Sequence, residues 1–220
     1  MRSGASSEPA AKRISYPIFS RLLPVITAIR EARGDREHRR ELLAGLSGRV
    51  VEVGAGVGAN FARYPREVAE VVAIEPEPYL REQAKRAAEK VSTPISVVDG
   101  DADHLPGDDG SFDAGVVSLV LCTVPDPERA LTELFRVIRP DGELRFFEHV
   151  VAQAYFGARL QRLADATFWP HVAGGCHMAR DTKANIERTG FVMKDCRCFS
   201  VKLARLMPPE PHLLGAARRP

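Results

Sequence analysis

Short apolar runs alternate with amphipathic stretches through the middle of the chain. The runs are VVEV (Val50 to Val53), VVAIEP (ending at Pro76), ISVVDGDA, SFDAGVVSLVLC and ELRFFEHV. Each is short and rich in β-branched or aromatic residues, as expected of strands covered on both faces. Between them, EPYLREQAKRAAEKV and PERALTELFRVI carry apolar residues at helical spacing. A further short helix is expected near Asn60 to Tyr64. The resulting order, β-α-β-α-β-(α)-β-α-β, predicts a parallel sheet with helices on both faces and right-handed crossovers.

The flanks read differently. Residues 1–13 are small, polar and unpatterned, and a disordered tail is expected there. From Ile14 to Ile29, apolar residues recur at helical spacing, with Ile18, Leu22, Ile26 and Ile29 on one face. Pro17 and Pro24 interrupt that pattern, which predicts short helical pieces. REARGDREHRRELLAGLSG follows as a charged helix ending in a glycine-containing loop, so residues 14–45 are read as a helical lid. Tyr155 to Phe168 is helical in pattern, FWPHVAGGCHMARDT is loop-like, and TKANIERTGF is a helix stopped by Gly190. MKDCRCFSVKL and PHLLGAARR read as two strands forming a hairpin. The whole is an α/β, Rossmann-like domain over residues 46–220, with a mostly parallel seven-stranded sheet and a C-terminal antiparallel hairpin. Residues 151–185 are expected to form a cap.

Composition narrows the function classes. A chain of 220 residues with 45% hydrophobic content fills one α/β domain. The net charge of +2, from 31 basic and 29 acidic residues, argues against a dedicated nucleic-acid binder. No run approaches the ~18 to 20 apolar residues of a membrane span. MRSGASSEPAAKR has no apolar signal-like core, so a cytoplasmic protein is expected. The four cysteines, Cys122, Cys176, Cys196 and Cys198, form no C-x-x-C pair; free thiols and no metal are expected.

The chemistry begins at VVEVGAGVGAN. Gly54, Gly56 and Gly58 follow the first strand, where absent side chains let a ligand approach the backbone. Glu75 ends the next strand, where a carboxylate can accept hydrogen bonds from both hydroxyls of a ribose. Gly54, Gly56 and Ala59 also satisfy the dinucleotide fingerprint G-x-G-x-x-[GA], so a nicotinamide enzyme, or a turn that binds nothing, stays open on these residues alone.

Asp101-Ala102 after the third strand, SFDAGVVSLVLC, and then RVIRPDGELRFFEHV complete an ensemble that resembles the class I S-adenosylmethionine-dependent methyltransferases over about residues 45–150. The resemblance implies S-adenosyl-L-methionine as cofactor and S-adenosyl-L-homocysteine as product. It implies cofactor contacts at Glu52, Gly54, Ala55, Gly56, Asn60, Glu75, Pro76, Asp101, Ala102, Leu119 and Cys122, with Cys122 a small buried side chain and not a nucleophile. Asp141 stands where the family usually has a second glycine in its turn, and Asp tolerates turn conformations.

From GAGVGANFARYP through LVLCTVPDPERAL and FFEHV, the chain further resembles the mammalian alkyl-thiol S-methyltransferases. Trp169, His171, Gly175-Cys176, Arg180 and the end PHLLGAARR extend the likeness. Gly174 replaces an acid of those relatives, and their apolar N-terminal anchor has no counterpart here. The resemblance implies a small-molecule thiol acceptor. A thiol near pKa ~8.5 needs only ~2 kcal/mol to ionise at neutral pH, against ~4 kcal/mol for a phenol near ~10. His149, at the end of the fifth strand, is read either as the base or orienting group or, equally, as a histidine satisfied by neighbouring backbone, and His171 and Arg180 are candidates in the loop after the core. Arg180 is equally well read as an ion-pair partner of Asp165 or Asp181. Methyl transfer to oxygen, carbon or nitrogen of a natural product, quinone or lipid headgroup stays open, as does a module that binds the cofactor without chemistry.

Overall fold

A computed structural model of the chain describes residues 16–202 and 209–220. The expected tail at residues 1–13 lies outside the described residues. The seven strands are β1 (Gly48–Val53), β2 (Val68–Ile74), β3 (Ile95–Val98), β4 (Phe112–Ser118), β5 (Ile138–His149), β6 (Val192–Val201) and β7 (Glu210–Arg218). They form one sheet in the order β3-β2-β1-β4-β5-β7-β6. Pairings among the first five strands are parallel, and β7 runs antiparallel to both β5 and β6. This is the predicted α/β architecture with its C-terminal hairpin.

Residue alternation explains why both faces are covered. Val51, Val53, Val72, Ile74, Val117, Leu144 and Phe146 point into one buried cluster, completed by Leu131 and Leu134 of α4 (Pro127–Val137) and Ile186 of α7 (Thr182–Arg188). Val50, Val71, Ala73, Ala114, Val116 and Phe147 point into the other, against Leu42 and Leu43 of α2 (Arg36–Leu43) and Ala84 of α3 (Pro78–Ala88). With both faces apolar, the sheet sends its ligand-facing groups to the carboxyl edge. Caps fix the helix starts: Glu77 accepts from Leu80 N at α3, and Asp126 from Glu128 N and Arg129 N at α4.

Two expectations fail here. Prolines do not divide the N-terminal helix: α1 runs unbroken over Pro17–Arg30, with Pro17 in its first turn and Pro24 inside. Pro17 sits where its missing N–H costs nothing. Pro24 forfeits one helical bond, and the contacts of Tyr16, Phe19 and Leu23 along the inner face keep the rod straight enough to pack. The predicted stripe also faces outward: Ile18, Leu22 and Ile29 are exposed, together with Val25. The segment Glu31–Asp35 then kinks at Gly34 (φ 123°) into α2.

The second failure is the helix expected near Asn60 to Tyr64. Only a single 3-10 turn, Phe61–Arg63, forms there. Gly56 and Gly58 have positive φ, and Pro65 follows Tyr64, so the segment turns back before a helix can propagate. In the cap, α5 (Tyr155–Thr167) is as expected, and the loop after it contains one short helix, α6 (Trp169–Val172).

The inner end of α1 is anchored by charge. Arg30 is buried and donates to Asp35 Oδ2 (2.7 Å) and to Glu210 Oε2 (3.0 Å), with Nη2 2.9 Å from His212 Nε2. Asp35 is wholly inaccessible to solvent. Removing one partner of a buried pair strands the other charge. Asp35→Ala is therefore expected to cost about 3 kcal/mol, lowering Tm by about 2 to 4 °C per kcal/mol. An unchanged thermal midpoint would contradict this anchoring.

Candidate active site

The glycine turn leaves β1 with its amides already engaged. Gly54 N and Ala55 N both donate to Ile74 O (2.8 and 3.0 Å), tying the turn to the end of β2. The three glycines have different reasons. A Cβ on Gly54 would lie 2.5 Å from Val120, and one on Gly58 would strike Phe61 and Ala87. At Gly56 (φ 56°) the nearest neighbour would be Leu23 of α1, at 3.8 Å. Gly54 and Gly58 are required by packing, whereas Gly56 borders the space beneath α1.

Glu75 faces the same space from β2. Its Oε2 accepts from Gly56 N (2.7 Å) and its Oε1 from Glu77 N (3.0 Å). Burial raises its pKa, opposed by those two amides. Arg81 holds the edge together, donating to Glu75 O, Pro76 O and Asp99 Oδ1. Asp101 lies in the turn after β3 and accepts His104 N through its carbonyl; the neighbouring Ala102 is buried.

Glu52 and Asn60 sit beneath the turn. Glu52 accepts from Asn60 Nδ2 (2.9 Å) and Tyr64 OH (2.6 Å), and Asn60 Oδ1 accepts from Arg39 (3.0 Å). All four are buried. Burial lifts the Glu52 carboxyl to about 7 despite the hydrogen bonds it receives. The network supports the turn from below.

On the other side of the sheet's switch point, β4 ends in a strained loop. Leu119 has φ 61°, in the left-handed region, and its N donates to Phe147 O (2.7 Å). The next three amides converge on one carboxylate: Glu148 accepts from Val120 N (2.9 Å), Leu121 N (3.0 Å) and Cys122 N (3.2 Å). Glu148 is completely buried. The loop's sharp path is thereby fixed to β5.

His149, next along β5, meets two thiols. Its Nδ1 is 3.7 Å from Cys122 Sγ and 3.5 Å from Cys176 Sγ, and its Nε2 is 3.3 Å from Glu210 Oε2. Burial disfavours charge on the ring, but the contacts with Cys122 and Glu210 outweigh it and lift the pKa to about 9. Burial would raise Glu210, yet His149 and Arg30 hold it at about 2. The Cys122 thiol is pushed up by Cys176 and by burial.

Arg180 does not form the ion pair weighed from sequence. Its Nη1 donates to the carbonyls of Leu121 and Val124. Asp165 instead accepts from Met178 N and Ala179 N, and Asp181 caps α7. His171 is exposed on α6. Trp169 is only partly buried, and its indole N–H has no partner among the described residues.

A family model described as a methyltransferase domain matches residues 51–146. Thiol S-methyltransferase TMT1B of Mus musculus is 34% identical over 91% of this chain and 87% of its own length. Thiol S-methyltransferase TMT1A of Homo sapiens is 34% identical over 92% of this chain and 85% of its own length. The chain belongs to the family of these thiol S-methyltransferases. A solved S-adenosylmethionine-dependent methyltransferase of Thermotoga maritima superposes with a TM-score of 0.68 at 20% identity, covering 94% of this chain and all of that one, a likeness that shows the fold alone.

This family member is thus an S-adenosylmethionine-dependent methyltransferase. Its residues fit that cofactor. Gly56 leaves room where a Cβ would intrude, and the Glu75 carboxylate stands beside it at the sheet's edge. Gly174 is explained locally: Phe19 of α1 fills the space that a Cβ would need, at 2.3 Å. Cys176, Glu148, Glu210 and Arg30 are the groups sequence reading did not assign to the site. They come from separate segments that only the fold brings together.

Two outcomes are expected. Glu75→Ala loses charge-assisted bonds and should weaken S-adenosylmethionine binding by ~1 to 3 kcal/mol in calorimetry; full retention would contradict the assignment. Glu52 is protonated more readily in the folded state than at its unfolded pKa of ~4.3. The stability it contributes is full below that unfolded value and is lost as pH rises through about 7. In denaturant titrations of cofactor-free protein, Glu52→Gln should therefore gain on the wild type between about pH 5 and 7.5, by at most about 3 kcal/mol. A pH-independent difference would contradict it.

Proposed function

We propose that this enzyme transfers the methyl group of S-adenosylmethionine to the thiol of a small molecule. One observation carries the reading. The carboxylates nearest His149 are both committed: Glu148 to three backbone amides, and Glu210 to Arg30 and His149. No free carboxylate base is left beside His149 among the described residues. Arg180 instead brings a cation beside Cys122, through its bonds to the carbonyl of Leu121. Such a site suits an acceptor that ionises at little cost and is held as an anion, which describes a thiol better than a phenol or an amine. The thiol S-methyltransferases among the relatives support the same reading.

The cofactor supplies an activated methyl on a sulfonium, so the protein's task is alignment and exclusion of water. We assign exclusion to α1 as a lid and to residues 151–185 as a cap. Tyr16 of the lid reaches Gly175 and Phe19 reaches Gly174, both in the cap. Among the described residues no helix is long and apolar enough to cross a membrane.

A panel of thiols, phenols and amines incubated with S-adenosylmethionine, read by mass spectrometry for the gain of one methylene, tests the acceptor. Methylation of thiols, with phenols and amines slower by at least about tenfold, is expected from the ionisation costs. Turnover of a phenol or amine with none of any thiol would overturn the proposal. No turnover of any acceptor by cofactor-loaded protein would favour a binding module.

A further inference from the structure

Cys122 follows β4, His149 ends β5 and Cys176 lies in the cap. The two sulfurs sit 3.7 and 3.5 Å from the same nitrogen, His149 Nδ1, and all three atoms lie within 4.8 Å of one another. A tetrahedral zinc ion, with Zn–S near 2.3 Å and Zn–N near 2.0 to 2.1 Å, spaces sulfur and nitrogen ligands about 3.6 Å apart. Both observed spacings match that value. The other ring nitrogen, Nε2, faces Glu210 Oε2 at 3.3 Å, and Arg30 holds the same oxygen at 3.0 Å. A carboxylate behind the imidazole is the usual support of a metal-ligating histidine. Cys122 is held from behind by Glu148 through its amide. His212 is excluded from the set, since its Nε2 faces Arg30 and its Nδ1 the carbonyl of Glu210.

We propose that Cys122 Sγ, His149 Nδ1 and Cys176 Sγ bind one zinc ion, and that its open fourth position takes the sulfur of the acceptor. The second half rests on the S-methylation reading above. Zinc binding displaces the protons of both thiols and of the imidazolium Nδ1 to solvent, and the resulting two thiolates and neutral imidazole balance the ion's charge, a catalytic-type set of three protein ligands. An acceptor thiol reaching the fourth position releases its proton to solvent and binds as thiolate. The complex then carries one negative charge, opposite the Arg180 guanidinium anchored at Leu121 and Val124. From there the acceptor sulfur uses a lone pair to bond the methyl carbon as the sulfonium carbon–sulfur bond breaks, that pair remaining on the donor sulfur. The product is a neutral thioether, a poorer ligand than a thiolate, and it leaves. No oxidation or reduction occurs.

The test uses the full chain with exposed Cys196 and Cys198 replaced by serine, so that surface thiols bind nothing. Zinc is measured after purification without chelator, and cobalt(II) is titrated into chelator-stripped protein. One equivalent of zinc per chain is expected, together with the visible spectrum of tetrahedral thiolate-bound cobalt. Cys176→Ser should abolish the sulfur-to-cobalt band, and Glu210→Gln should keep the fold while lowering metal affinity about 10- to 100-fold. An added alkyl thiol should intensify the sulfur-to-cobalt band, and its methyl thioether should not. Absence of metal after loading, or a cobalt spectrum unchanged by Cys176→Ser, would overturn the site. Full thiol methylation by chelator-stripped protein would overturn the metal's role and leave S-methylation standing. Cobalt bound through both cysteines in a protein that methylates only phenols or amines would overturn the role of the fourth position.

Discussion

Loops that leave the carboxyl ends of parallel strands carry backbone N–H groups with no strand to pair with, and two buried carboxylates take them here. Glu75 binds the amides of Gly56 and Glu77, and Glu148 binds those of Val120, Leu121 and Cys122. Buried amides left unpaired are costly, so these contacts fix the two loops on either side of the switch point. The first loop runs along the Glu75 carboxylate at the sheet's carboxyl edge. The second presents Cys122 to His149. The loops that follow the adjacent strands β1 and β4 are thus set by the same kind of bond.

Helix α1 is tied to this edge through charge. Arg30 closes α1 and reaches Glu210 on β7, Glu210 reaches His149, and His149 reaches both thiols. The antiparallel hairpin makes that chain of contacts available, because β7 places His212 directly opposite His149 in register. The outward apolar face of α1 plays no part in it; the helix packs through Tyr16, Phe19 and Leu23, which approach cap and glycine turn.

Much of this was legible in the sequence because burial on both faces forces continuous apolar runs, and those marked every parallel strand. The hairpin followed from two β-rich runs at the C-terminus. The glycine turn and Glu75 were legible because close approach and a carboxylate at a strand end leave local signatures. What escaped was non-local. Cys122 and Cys176 form no spacing motif, since their meeting depends on how the cap folds back over β4. Arg180 looked free to make an ion pair, whereas carbonyls of the β4 loop claim it. Pro24 marked a break that tertiary packing overrode, and the positive φ angles around Gly56 and Gly58 ended a helix that the pattern alone continued.

The arrangement stands or falls on where the donor lies. The most direct measurement is a crystal structure of the protein with S-adenosylhomocysteine. Expected is the ribose on the Glu75 carboxylate, the chain passing Gly56, and the homocysteine sulfur aimed at the space between Cys122, His149 and Cys176. A crevice that stays closed by Leu23 at saturating ligand, or a sulfur directed away from that cluster, would contradict it.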